Sequence, residues 1–168
     1  MRHIISILLA NQAGALTRVA GMFSTRGYNI ESLNVAPTNN ESVSRLTLVT
    51  TGSDDTINQI SKQLEKLVDV VSIADMTGME QVERELALFK LRTPETFRGK
   101  LATLIDDFGG HVLDYDEVHG TLEVVGHAVE IDNFMDVISS LTEIESVVRS
   151  GTMAIAKGTP VFDAHVAD

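Results

Sequence analysis

The sequence has 168 residues, of which 43% are apolar and 22% charged, as in a folded chain with one ordinary domain or two small ones. Its 13 basic and 24 acidic residues give a net charge of −11, which argues against the basic surface that binding to nucleic acid or to anionic lipid needs. The absence of cysteine excludes disulfides, thiolate metal sites and thiol nucleophiles.

The first predicted element is a buried strand over residues 4–9, where apolar and β-branched side chains run up to a polar loop. This run is too short for a secretory signal, and no apolar run in the chain approaches the ~18 residues of a membrane span. We therefore expect a cytoplasmic protein that has no membrane partner.

The elements that follow complete one small domain. Apolar residues at helical spacing predict a helix from Leu16 that ends at Arg26-Gly27, and residues 28–36 and 44–51 then predict a hairpin. Ser53 is suited to cap a second helix, after which a strand runs to residue 76. The order βαββαβ is the ferredoxin-like arrangement, which we assign to residues 1–76.

The same order of elements recurs in the second half of the chain. Its first helix is predicted to begin at the cap Thr93-Pro94-Glu95, with Phe97 on the apolar stripe, and one last strand is predicted over residues 144–155. We therefore predict an α+β fold of two ferredoxin-like βαββαβ domains in tandem. Their bounds are residues 1–76 and 77–157, with a mobile tail over residues 158–168.

A glycine-containing loop joins the first strand to the first helix. Gly14 permits a tight turn and the close approach of a ligand, and the helix N-terminus provides free N–H groups for a carboxylate or phosphate. Asn11 adds an amide donor or acceptor. An amino acid would also need an oxygen for its ammonium group and an apolar wall, for which Leu9, Leu16 and Ile30 are the candidates. A turn without a ligand is the alternative interpretation of this loop.

Several stretches of sequence resemble a known family. They are residues 11–16, Arg18, residues 23–33, of which 27–33 (GYNIESL) are the most specific, residues 35–38, and shorter stretches at 44–45, 59–60, 62–64, 66–70, 82–86 and 149–151. These stretches resemble the regulatory (small) subunit of acetolactate synthase, densely up to about residue 92 and more sparsely beyond. The resemblance implies that the first domain is an ACT domain, a βαββαβ module that senses amino acids.

The resemblance further implies a non-catalytic chain whose partner is the large catalytic subunit of that synthase. The large subunit would condense 2-ketoacids and would hold thiamine diphosphate, FAD and magnesium, so no cofactor would belong to this chain. The chain would raise the activity of the large subunit and confer feedback inhibition by L-valine, an end product of branched-chain amino acid biosynthesis.

A valine site is implied at the seam between two ACT domains that pair side by side as a homodimer. The glycine loop of one protomer would hold the carboxylate and part of the side chain of valine, and residues of the neighbouring protomer would face that loop. The loop residues are Asn11, Ala13, Gly14, Ala15 and Leu16, and those facing them are Leu9, Asn29 and Ile30.

Two other interpretations are open to test. A free-standing ACT-type amino-acid sensor that regulates another protein fits the same scaffold, which hosts many functions. His111, His119 and His127, with Asp114 and Asp116 nearby, are residue types that bind metals, but they are scattered over two strands and a turn, so we predict no metal site. No nucleophile with a plausible base and no carboxylate pair indicates catalysis.

Overall fold

The computed structural model describes residues 1–93 and 98–162, which form two compact units. The first unit comprises Met1–Val82 and the described residues from Thr152 onward, and the second comprises Glu83–Gly151. The chain forms one four-stranded and one five-stranded sheet, each packed with two helices, so the predicted α+β class with two ferredoxin-like units is confirmed.

The first unit follows the predicted order βαββαβ, and its sheet has the strand order β2-β3-β1-β4. Ser53 caps the second helix as its sequence position predicts, because its Oγ accepts a hydrogen bond from the Thr56 N–H at 3.2 Å. The elements are β1 (Arg2–Ala10), α1 (Ala15–Thr25), β2 (Ser32–Pro37), β3 (Val43–Thr51), α2 (Asp54–Leu64) and β4 (Val70–Asp75).

Side chains along a strand point alternately to opposite faces of the sheet, and other parts of the chain cover both faces of strand β1. On one face, Ile7 and Leu9 pack with helix residues such as Val19 and Phe23 in the main core of the unit. We call this the helix face, and the other side of the sheet the open face.

A segment from the end of the chain covers part of the open face. Strand β9 (Met153–Ala156) follows the second unit in sequence but belongs to the first, where Ala154 packs with Ile4 and Met76 in a separate small core. Val161 and Phe162 pack against the same core. The single last strand that the sequence predicts over residues 144–155 is divided in the structure into a strand over Ile144–Arg149 and β9.

The second sheet has five strands, of which four follow the order β6-β7-β5-β8, and β9 pairs with β5. The core of the second unit contains an aromatic cluster in which Phe134 meets Phe89 and Phe108 edge to face, with ring centroids 5.0 and 5.2 Å apart. The elements are β5 (Gln81–Arg92), α3 (Arg98–Asp107), β6 (His111–Tyr115), β7 (His119–Gly126), α4 (Ala128–Ser139) and β8 (Ile144–Arg149). The predicted cap at residues 94–95, the stripe residue Phe97 and the tail residues 163–168 lie outside the described residues.

Candidate functional site

The loop between β1 and α1 brings a glycine to the N-terminus of the first helix. Gly14 is the N-cap of α1 and has φ of +86°, a left-handed conformation that glycine adopts without the steric cost of a Cβ. The cap makes no side-chain hydrogen bond, and no acidic residue occupies the first turn of α1. The positive end of the helix is therefore not neutralised by its own residues and suits an anion.

Asn11 orients its amide in a defined way at the start of this loop. Its Nδ2 donates to the Glu41 carbonyl at 2.9 Å, and its backbone N–H donates to the Ser42 carbonyl at 2.8 Å. Among the described residues, Oδ1 of Asn11 has no hydrogen-bond partner. Asn11 therefore presents an acceptor, which suits an ammonium group better than a carboxylate.

Arg18 lies beside the candidate site, although its sequence position alone predicts no role for it. A Cβ added to Gly14 would lie 3.2 Å from Nη1 of Arg18, so this nitrogen stands directly over the loop. The other side of the guanidinium binds Asp69, with Nη2 2.8 Å from Oδ1 and Nε in contact with Oδ2. Nη1 makes no hydrogen bond to a described residue and is thus available to a ligand anion.

The ion pair with Asp69 explains why Arg18 is held in place. The side chain of Asp69 is 5% exposed, whereas that of Arg18 is 47% exposed. Hydrogen bonding to Arg18 lowers the pKa of Asp69, and the same bond raises the pKa of Arg18. Arg18 and Asp69 both lie within stretches that carry the family resemblance. That resemblance is the sequence signal from which both residues could have been predicted.

The remaining predicted residues at this end of the sheet differ in their exposure. Ala13 and Gly14 are exposed and Leu16 is 37% exposed, so these three can meet a ligand. Leu9 and Ala15 are each 2% exposed, with side chains inside the core on the helix face. Leu9 and Ala15 therefore shape the loop from behind.

Asn29 and Ile30 lie at the other end of the same sheet. They precede β2, whose first residue Ser32 pairs with Val49 of β3. Val49 in turn pairs with Ile4, near the start of β1. The glycine loop, in contrast, follows Ala10 at the end of β1. The six residue-to-residue steps from Ile4 to Ala10 span about 20 Å at the usual rise of a strand. One chain therefore carries two separate halves of the predicted site.

The histidines of the second unit have structural partners. Asp116 accepts hydrogen bonds from the backbone N–H groups of Val118 and His119, both at 2.7 Å, which lowers the pKa of Asp116 to about 2. His119 lies 3.3 Å from Asp116 and 3.4 Å from Glu145. Within residues 1–93 and 98–162, no group of three or more candidate ligands could hold a metal ion.

No described helix is both long and apolar enough to cross a membrane.

Comparisons with known proteins match both units. Residues 5–72 match the model of the AHAS small subunit-like ACT domain, and residues 84–158 match that of the small subunit of acetolactate synthase.

Individual relatives match over nearly the whole chain. The acetolactate synthase small subunit of Buchnera aphidicola subsp. Schizaphis graminum is 40% identical over 94% of this chain and 100% of its own. The acetolactate synthase isozyme 3 small subunit of Escherichia coli is 39% identical over 96% and 99%. The crystal structure of the acetolactate synthase small subunit from Thermotoga maritima superposes with a TM-score of 0.87 at 30% identity, covering 95% of this chain and 99% of that one.

Proposed function

This chain belongs to the acetolactate synthase small-subunit family, and from that premise we propose that it activates the catalytic large subunit and confers feedback inhibition by valine. The observation that carries the valine part is the glycine loop, where an unneutralised helix N-terminus and a free guanidinium nitrogen of Arg18 converge. Catalysis, with thiamine diphosphate, FAD and magnesium, is assigned to the large subunit.

The groups around the loop complement a zwitterionic amino acid. The valine carboxylate would accept hydrogen bonds from the first N–H groups of α1 and from Nη1 of Arg18. The ammonium group would donate to Oδ1 of Asn11, and the exposed part of Leu16 would contact the isopropyl group. D-Valine places its ammonium and side chain in exchanged positions, so the site predicts selectivity for the L form.

We propose that a second copy of the chain supplies the rest of the site. β2 is an edge strand, and two copies that pair antiparallel through β2 would set the start of one strand beside the end of the other. The end of β2 is level with the loop, because Pro37 is paired with Ser44, and Ser44 with Leu9. Asn29 and Ile30 of the second copy would then lie at the glycine-loop end.

Such a site couples valine to the arrangement of the dimer. A ligand held by both protomers stabilises the pairing that brings its two halves together. The surface offered to the large subunit would change with that pairing, with a coupling of about 1 to 3 kcal/mol, or 5- to 150-fold in affinity. Inhibition would therefore require no contact between valine and the large subunit.

Reconstitution with the purified large subunit tests this proposal. Adding the chain should raise acetolactate formation, and L-valine should then lower it, whereas D-valine and L-lysine should not. Calorimetry on the chain alone should show saturable binding of L-valine that weakens on dilution as the dimer dissociates.

Each part of the proposal has its own contrary outcome. Activation without a valine response would overturn the valine site. Valine binding without any effect on the large subunit would identify a free-standing sensor instead.

A further inference from the structure

The open face of the first sheet carries a cavity of about 440 Å³, a size typical of small-molecule sites. It lies at the end of the open face nearest the β2–β3 turn. One wall is formed by residues 153–162, which we call the C-terminal segment. The residues that line the cavity include Leu8, Val43, Arg45, Thr47, Ile155 and Phe162.

This cavity is separate from the glycine loop. Leu8 lines the cavity, whereas its neighbour Leu9 is buried in the core on the helix face. Because adjacent side chains of a strand point to opposite faces, the two sites lie on opposite sides of the sheet. A ligand in the cavity therefore does not occupy the proposed valine site.

Arg45 brings a positive charge into the cavity without a counter-ion. Its Nε donates to Oγ of Ser6 at 3.0 Å, and its Cζ lies 5.2 Å from the ring centroid of Phe162. Among the described residues, no carboxylate lies within salt-bridge distance of Arg45, and its two Nη atoms make no hydrogen bond. Burial lowers the pKa of Arg45, yet an arginine stays protonated in proteins.

A half-buried cation without a partner is costly, and an anion that reached it would relieve that cost. The two free Nη atoms can bind both oxygens of one carboxylate. No acidic residue is among the described residues that line the cavity, so a ligand ammonium group would find no counter-charge there. The site therefore favours a single negative charge over a zwitterion.

The other residues that line the cavity indicate the chemistry of the part of the ligand that does not bind Arg45. Leu8, Val43 and Ile155 offer aliphatic surface and Phe162 an aromatic ring, while Thr47 adds one hydroxyl. We propose that this cavity binds a small aliphatic monocarboxylic acid, with its carboxylate on Arg45 and its hydrocarbon chain against the C-terminal segment. Such a ligand would link the sheet to that segment.

Calorimetry on the full-length chain tests the proposal with isocaproate as the probe. Isocaproamide is its neutral counterpart, and inorganic phosphate is an anion without an apolar part. Isocaproate should bind saturably, and both other compounds at least about tenfold more weakly, since a charge-assisted bidentate contact and apolar burial each contribute that much. The affinity should be the same with saturating L-valine present. No binding of isocaproate, equal binding of the amide or phosphate, or competition with L-valine would overturn the proposal.

Two variants locate the binding. Arg45→Gln removes the charge and should weaken the binding of isocaproate at least about tenfold. The control is Arg26→Gln, which replaces an exposed arginine that donates to Gln63 at 3.0 Å and should leave the affinity for isocaproate unchanged. Phe162→Ala removes one wall while Arg45 remains, and should weaken isocaproate more than phosphate. Wild-type affinity in Arg45→Gln and in Phe162→Ala would place the probe elsewhere and overturn the assignment. The amide comparison tests the charge requirement in the wild-type chain itself.

Discussion

Arg18 holds the carboxylate of Asp69 through both Nε and Nη2, and this ion pair joins helix α1 to the residue before β4. The two residues are 51 positions apart in sequence. The backbone carbonyl of Asp69 also accepts a hydrogen bond from the Ala10 N–H at 2.7 Å, at the start of the glycine loop. The loop, the helix and the end of the central strand are therefore fixed by one residue.

Replacing Asp69 with asparagine should lower the thermal unfolding midpoint at neutral pH. Because Arg18 lowers the pKa of Asp69 below its unfolded value of about 3.9, its stabilisation is complete above that pH and is lost as the pH falls through the folded pKa. The midpoints of Asp69→Asn and wild type should therefore converge below about pH 4. Asp55→Asn, which alters an exposed carboxylate of α2, is the control and should stay near wild type at pH 7. A constant difference down to pH 2.5 would contradict this account of Asp69.

Gly14→Asp should abolish valine inhibition of the reconstituted enzyme. The new carboxylate would lie next to Nη1 of Arg18, where the valine carboxylate is proposed to bind, and φ of +86° is a conformation that aspartate tolerates better than most residues. Gly21→Asp places the same charge on the exposed side of α1, where an added Cβ meets nothing within 4 Å, and should keep the valine response. Inhibition of Gly14→Asp at the wild-type valine concentration would refute the site.

Asn29→Ala should weaken valine binding without lowering stability. The Thr50 hydroxyl donates to the backbone carbonyl of Asn29 at 2.6 Å, and this bond survives the substitution, whereas the exposed amide side chain is lost. Calorimetry should show a valine affinity reduced by about tenfold, the usual worth of a hydrogen bond to a charged group. Asn58→Ala, on the exposed side of α2, is the matched control. If both variants bind valine as wild type does, Asn29 is not a ligand contact.

Hydrophobic periodicity sufficed to predict the βαββαβ order of both units, because each buried stripe or strand leaves a local pattern in sequence. It predicted one strand over residues 144–155 where the structure has β8 and β9, because apolar residues lie on both sides of the break at residues 150–152. The burial of Ala154 in the first unit is a long-range packing outcome, which only the folded chain reveals.

The glycine loop was predictable for a related reason. The turn at this loop requires a positive φ, which favours glycine at position 14, and the residues around Gly14 carry the family resemblance. By contrast, an arginine on an exposed helix face gives no local sign of its partner, so the pairing of Arg18 with Asp69 is visible only in the folded chain. The cavity at Arg45 likewise depends on Phe162, a residue from the far end of the chain.

Arg149→Ala should destabilise the second unit more than any exposed charge change. Arg149 in β8 donates to both carboxylate oxygens of Glu85 in β5, at 2.7 and 3.0 Å, and to Asp132 of α4 at 2.6 Å. The Glu85 side chain is 5% exposed, so removing its partner leaves a buried charge uncompensated, which costs about 3 kcal/mol.

Urea unfolding of Arg149→Ala measures this cost, with Arg92→Ala as the control. Arg92 is 55% exposed and lies 3.5 Å from Glu143, so its loss should cost less than about 1 kcal/mol. The double variant Glu85→Leu/Arg149→Met should recover part of the stability, because an apolar pair of similar size leaves no charge to desolvate. Equal losses for Arg149→Ala and Arg92→Ala would mean that water reaches Glu85 and that its pairing with Arg149 stabilises the unit no more than a surface ion pair does.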